Sequence, residues 1–161
     1  MSLTYGEISR NSLLKIGVID EYQAVSAVQV EDGIRLLNEM LRAVGLERGD
    51  VYIANILKCR PPNNRDPEPG EVAACSDYLD RQISLIEPDL ILAVGRIAAQ
   101  NLLQLDQPVG RLRGVVHRYG SFDIPLVVTY HPAYLLRSPS QKRKAWADLC
   151  LARSVTEHPE S

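Results

Sequence analysis

Cysteine is scarce in this 161-residue chain: three residues, an odd number, exclude a disulfide framework and fit a reducing compartment. Long apolar runs are missing as well. The longest, at residues 90–94 and 124–128, fall far short of the ~20 residues that a membrane-spanning helix needs. The N-terminus shows no basic-then-apolar secretory pattern, so a cytoplasmic setting with no membrane attachment is expected. Ten glycines and no sustained heptad exclude collagen-like and coiled-coil architectures. What remains is a globular composition, 45% hydrophobic and 24% charged, long enough for one domain with a real core.

The net charge of −2 points to no polyanion, but its distribution is uneven. Residues 1–106 carry 10 Lys/Arg against 16 Asp/Glu, whereas residues 107–153 carry 8 against only Asp123 and Asp148. A basic C-terminal third on an acidic chain is a pointer to a phosphate backbone, set against the blander reading of a solvated basic face.

The hydrophobic spacing then gives an element order. Thr4 and Glu7 have capping-box spacing, predicting a short helix that stops at Gly17. Ser26 and Gln29 repeat the signal before Ala27, Val30, Ile34, Leu37, Leu41 and Val44, an amphipathic helix closed by Gly45. Beyond it strands and helices alternate. Val51–Leu57 reads as a strand and the proline-rich residues 60–70 as a loop. Val72, Cys75, Leu79, Ile83 and Ile86 form one stripe of a helix. Asp89–Val94 is a buried parallel strand, Gly95 turns into a helix through Leu103, and residues 111–122 form an irregular hairpin. Ile124–Thr129 is another buried strand, followed by a helix over 139–153 with Trp146, Leu149 and Arg153 on one side. Cys150, on the apolar side of that helix, reads as a small buried residue. This is an α/β order with a mainly parallel sheet, whose ligands sit beyond the C-terminal strand ends.

Those strand ends hold the chemistry. Asn55 offers a donor and an acceptor together, as recognition of a base edge requires. His131 follows a buried strand and precedes Pro132, which makes it a pre-positioned donor. Leu135 and Leu136 before Arg137 read as an apolar wedge beside a phosphate contact, the device that fills a stack when a base is extruded.

VYIANILKCRPPNNRDP at 51–67, Cys75, PDLILAVG at 88–95 and TYHPAYLLR at 129–137 together resemble the iron–sulfur (family 4) uracil-DNA glycosylases, from about Leu36 to Arg153. The resemblance implies a three-layer α/β/α sandwich with a mainly parallel sheet, and base-excision repair by hydrolysis of the N-glycosidic bond of uracil in DNA. It implies that Asn55 and Pro132 bind the base and that His131 is catalytic, hydrogen-bonding uracil O2 as charge develops on the departing base. It also implies that Leu135, Leu136 and Arg137 belong to a loop entering the minor groove, and that Cys59 and Cys75 are two of four ligands of a 4Fe-4S cluster.

The chain departs from that pattern at its start. It has no Gly-Glu-x-Pro-Gly turn after a strand, no Cys-x-x-Cys pair and no Phe-Val-Gly segment carrying an aromatic to stack on uracil; Gly6-Glu7 matches only superficially. Two thiolates do not hold a four-iron cluster, so no cofactor is expected in this chain. The family's first strand, which lies between those at 51–57 and 89–94, is expected to be missing and replaced by a helical hairpin: the neighbours close up, or something else fills the slot. TYGEISRNSLLKIGVIDEYQAVSAVQVEDGIRLLNEML at 4–41 is instead similar to the opening of phage head-completion proteins of the tail-accessory type. The expected organisation is a helical phage-like segment at 1–45, a glycosylase-like domain at 46–153 and a disordered tail at 154–161. The function expected is that of a truncated glycosylase with weak or no activity. The alternatives are a phage head–tail structural protein and a non-catalytic module binding DNA or uracil.

Overall fold

The apolar runs near residues 90 and 124 become neighbouring inner strands of a five-stranded sheet. The computed structural model describes residues 16–20, 27–59, 61–120 and 123–157, with side chains from residue 35 onward apart from Asn64. In chain order the strands are β1 (Ile16–Asp20), β2 (Val51–Asn55), β3 (Leu90–Val94), β4 (Val116–Tyr119) and β5 (Ile124–Thr129). The helices are α1 (Ala27–Ala43), α2 (Pro69–Ile86), α3 (Arg96–Leu103), the single turn α4 (Val109–Leu112), α5 (Pro132–Arg137) and α6 (Lys142–Glu157). The spatial order of strands is β2-β1-β3-β5-β4; every pairing is parallel except the β4–β5 hairpin.

β3 shows why a near-continuous apolar run is needed. All five of its residues are at most 2% exposed, because helices cover both faces of the sheet. Ile91 and Ala93 pack toward Leu79 and Ile83 of α2 and Ala98, Ala99 and Leu102 of α3. Leu90, Leu92 and Val94 pack toward Leu37 and Leu41 of α1 and Leu149 and Ala152 of α6. Two cores on opposite faces make the three-layer α/β/α sandwich expected from the sequence.

The helix ends follow local chemistry. α1 closes with Gly45 at φ 80°, its N–H on the Arg42 carbonyl and that of Leu46 on Leu41. α2 opens with a reciprocal cap between Glu68 and Glu71, with Pro69 in the first turn. Gly95 takes φ 95°, ψ 179°, a conformation open only to glycine, and donates to the Thr129 carbonyl at 2.9 Å. That bond ties the ends of β3 and β5 together.

Several expectations are corrected. The slot between β2 and β3 is filled by β1, paired in register with both, so residues 16–20 extend the sheet where a helix ending at Gly17 was expected. An Ile-Gly-Val-Ile run suits a strand sandwiched between two others, and tertiary pairing overrides the weaker capping signal. The predicted start of that helix, from Thr4, and the Ser26 cap lie outside the described residues. At the other end α6 runs on to Glu157, four residues into the predicted tail. Along α6 the buried stripe is Ala145, Asp148, Leu149 and Ala152; Trp146 is 46% exposed and Cys150 is exposed, contrary to expectation.

Candidate active site

Register sets the spacing of the strand-end residues. Across the sheet Asn55 pairs with Asp20, Asp20 with Val94, and Val94 with Thr129. At ~4.8 Å per strand, Asn55 and Thr129 are therefore about 14 Å apart. Without β1 they would be one strand closer. The inserted strand thus holds the two motifs apart, and it sets Asp20 at the end between them.

His131 lies two residues beyond β5 and caps α5. Its Nδ1 accepts the Ala133 N–H at 3.0 Å, while its carbonyl accepts from Tyr134 and Leu135 at 2.9 and 3.2 Å. Because Nδ1 is an acceptor, the proton of the neutral ring belongs on Nε2, which is then a donor. Pro132 supplies the fixed φ of the first helical turn and is buried with Ala133. The residue is only 9% exposed, and its ring is oriented by the Ala133 N–H that it accepts.

α5 divides the predicted wedge. A residue step of ~100° around a helix cannot expose two successive leucines equally. Leu135 is 1% exposed and belongs to the core, which corrects its assignment as a DNA contact, whereas Leu136 is 41% exposed beside exposed Tyr134 and Arg137. The outward face of α5 is thus apolar and basic together. The Lys142, Arg143 and Lys144 side chains are exposed at the start of α6.

At the β2 end, Asn55 is exposed. Lys58 Nζ donates to the Asn55 carbonyl at 2.8 Å and to Gln82 Oε1 at 2.6 Å, and Gln82 donates to the Tyr52 hydroxyl at 3.2 Å. Burial lowers the Lys58 pKa, opposed by nearby Cys75. The loop cation Arg65 is committed to Glu71 through two bonds of 2.8 and 2.9 Å, and Asp66 pairs with Arg96 of α3. Cys59 and Cys75 are free thiols, and Cys75 Sγ accepts the backbone N–H of Lys58, the residue before Cys59, with 3.5 Å between nitrogen and sulfur. Among the described residues no group of three or more potential metal ligands converges, and the chain's third cysteine sits on α6. This donor set does not fit a four-iron cluster, which takes four thiolates.

Sequence reasoning missed the group behind β5. Asp148 is fully buried and receives Arg113 Nε and Nη2 at 2.9 and 2.7 Å, together with the Thr129 hydroxyl at 3.1 Å. Burial pushes its carboxyl up, against the pull of Arg113, Thr129 and the Gly114 N–H. A signal was available: Asp148 shares a stripe with Ala145, Leu149 and Ala152, and a carboxylate on an apolar stripe demands a partner. Its partner, 35 residues away, carried no such mark.

Comparison with known proteins bears on this geometry. The family model described as "Uracil DNA glycosylase superfamily" matches residues 32–150. A type-4 uracil-DNA glycosylase of Archaeoglobus fulgidus is 46% identical over 121 residues, covering 71% of this chain and 60% of the relative. That of Pyrobaculum aerophilum is 38% identical over 151 residues, 86% of this chain and 77% of the relative. That of Sulfurisphaera tokodaii is 38% identical over 133 residues, 78% of this chain and 60% of the relative. The chain thus spans between 60% and 77% of the length of these curated relatives. No helix among the described residues is long and apolar enough to cross a membrane.

Proposed function

The chain belongs to the uracil DNA glycosylase superfamily, and from that premise we propose that it recognises uracil in DNA at the C-terminal ends of β2, β1 and β5, and cleaves the N-glycosidic bond weakly or not at all. Asn55 reads the base edge, Pro132 shapes the pocket wall, and the His131 Nε2–H hydrogen-bonds O2 of the leaving base. Leu136 and Arg137, with Tyr134 beside them, meet the strand from which the base is extruded. The setting is cytoplasmic.

The observation that carries this reading is the Ala133 N–H on His131 Nδ1, which leaves Nε2 as the donor an anionic pyrimidine needs. Cleavage breaks the bond between uracil N1 and sugar C1′, leaving an anionic base and a cationic sugar that water must capture. Among the described strand residues Asp20 is the carboxylate-bearing one that register sets between Asn55 and Val94. The Gly-Glu-x-Pro-Gly turn that would fix a carboxylate, and the aromatic that would stack on uracil, are absent from the sequence. Without them orientation of water and base is lost, which accounts for weak turnover. No step passes through an iron–sulfur cluster, and we infer that this chain alone holds none.

The segment 4–41, read from the sequence as a phage-type opening, has only a 30% match over 125 residues to a DNA polymerase of Bacillus phage SP01 on its side, whereas the Pyrobaculum aerophilum relative covers 86% of the chain and so reaches into that segment. The test is uracil release from a single-stranded oligonucleotide, followed on a gel. Slow release that His131→Ala reduces by ~10²-fold or more, or no release with selective binding retained, supports the proposal. Fast release, or release indifferent to His131→Ala, overturns it.

A further inference from the structure

Arg113, Asp148, Thr129 and Tyr130 form a connected group on the two residues that precede His131, and neither the motifs nor the family match assigns them a role. Asp148 is satisfied on both oxygens by the Arg113 fork and the Thr129 hydroxyl. The same guanidinium donates through Nη2 to the Lys144 carbonyl at 2.8 Å and lies over the Tyr130 ring at 5.9 Å. Tyr130 in turn stacks on Tyr134 at 5.1 Å, with 29° between the ring planes. On the opposite side the Gly95 N–H holds the Thr129 carbonyl.

The two residues that precede His131 are therefore gripped by side chain, ring face and backbone at once. A buried ion pair is seldom the most stable way to fill a core, since apolar side chains of similar volume often do as well or better. What it offers is direction. A planar fork can bind a carboxylate edge-on and present a face to an aromatic ring in a single orientation, and an ammonium cannot.

We propose that Arg113, acting through Asp148 and Tyr130, is a positioning residue that holds Thr129–His131 so that the imidazole keeps its Nε2–H form and its aim at the base. The proposal takes its ligand, uracil, from the functional reading above; the clamp itself stands on the geometry alone. It assigns Arg113 no contact with substrate. Its influence is transmitted along two residues of backbone, where a displacement of ~1 Å suffices to weaken a binding or catalytic geometry strongly.

The test compares Arg113→Lys and Thr129→Val with a control, Leu79→Ala, which empties core on α2 and takes no part in the bonds of the clamp. Arg113→Lys keeps the charge but loses fork and face; Thr129→Val keeps the shape but loses the hydroxyl. The ring nitrogens of His131 are followed by 15N NMR, with free uracil as the titrant, and thermal midpoints are recorded for all variants. The clamp requires that Arg113→Lys and Thr129→Val move the ring signals from the Nε2–H pattern toward averaged tautomers. Each should also weaken the uracil response by up to ~10-fold, the worth of one hydrogen bond. Leu79→Ala, although less stable, should change neither. Unchanged ring signals in Arg113→Lys and Thr129→Val overturn the clamp, as does an equal change in Leu79→Ala. If the wild-type ring ignores uracil, the functional reading fails while the tautomer comparison still decides the clamp.

Discussion

At the β5 end of the site His131 follows two residues gripped from inside the protein, whereas at the β2 end Asn55 precedes a segment held from outside. The β5 end rests on a carboxylate with no exposure and a guanidinium side chain only 16% exposed. The β2 end rests on exposed bonds from Lys58 and on the surface pair of Arg65 with Glu71. Exposed pairs of this kind contribute at most ~1 kcal/mol, while a buried partner left alone costs several. The contrast teaches that two ends of one sheet can share its geometry and still differ in how firmly they are held. The imidazole side is built to stay still, and the amide side is free to adjust.

Removing the inner partner gives the largest effect. Asp148→Ala strands Arg113 and the Thr129 hydroxyl in the interior, and is expected to lose about 3–5 kcal/mol in urea denaturation. A loss under ~1 kcal/mol would erase the contrast between the two ends. Leu135 and Leu136 sharpen it next. Leu135→Ala should cost about 2–5 kcal/mol as a core truncation. Leu136→Ala should leave stability within ~0.5 kcal/mol and instead weaken binding to a single-stranded oligonucleotide, read by fluorescence anisotropy. Weakened binding in both variants, with stability unchanged in both, would restore both leucines to the wedge.

The smallest effect lies in the titrations, which run in opposite directions. Glu71 is held below its ordinary value, first by the hydrogen bond from Arg65 and then by the Glu68 N–H. Its stabilisation is therefore present above that ordinary value and is lost as pH falls through the folded one. Asp148 is pushed up by burial, so the fold favours its protonated form; that contribution is present at low pH and is lost as pH rises through the folded value. Carboxyl 13C titration should find Asp148 above and Glu71 below the usual range. Arg65→Gln should move Glu71 up toward its ordinary value, with the Glu68 N–H still holding it down, and leave Asp148 where it is.

Legibility in the sequence follows the same divide between local and distant causes. β3 and β5 could be read because burial on both faces demands an unbroken apolar run, and Gly95 because the turn needs its missing side chain. β1 could not, since five residues without alternation suit a strand only when two neighbours already flank it. Asn55 and His131 were visible because one ends β2 and the other follows β5 by two residues. Arg113 and Asp148 were counted as charges and no more, because their meeting depends on α6 crossing behind β5. Leu135 was misread because its neighbour has the same chemistry, and only the helical turn distinguishes them.

The central claim is that the site still selects uracil although it cleaves poorly. The most direct measurement is the affinity of the chain for two otherwise identical single-stranded oligonucleotides, one with a central deoxyuridine and one with thymidine. Tighter binding of the deoxyuridine strand, by ~10-fold or more and abolished in His131→Ala, is the expected result. Equal affinity for the two strands, with the same salt dependence, would contradict it.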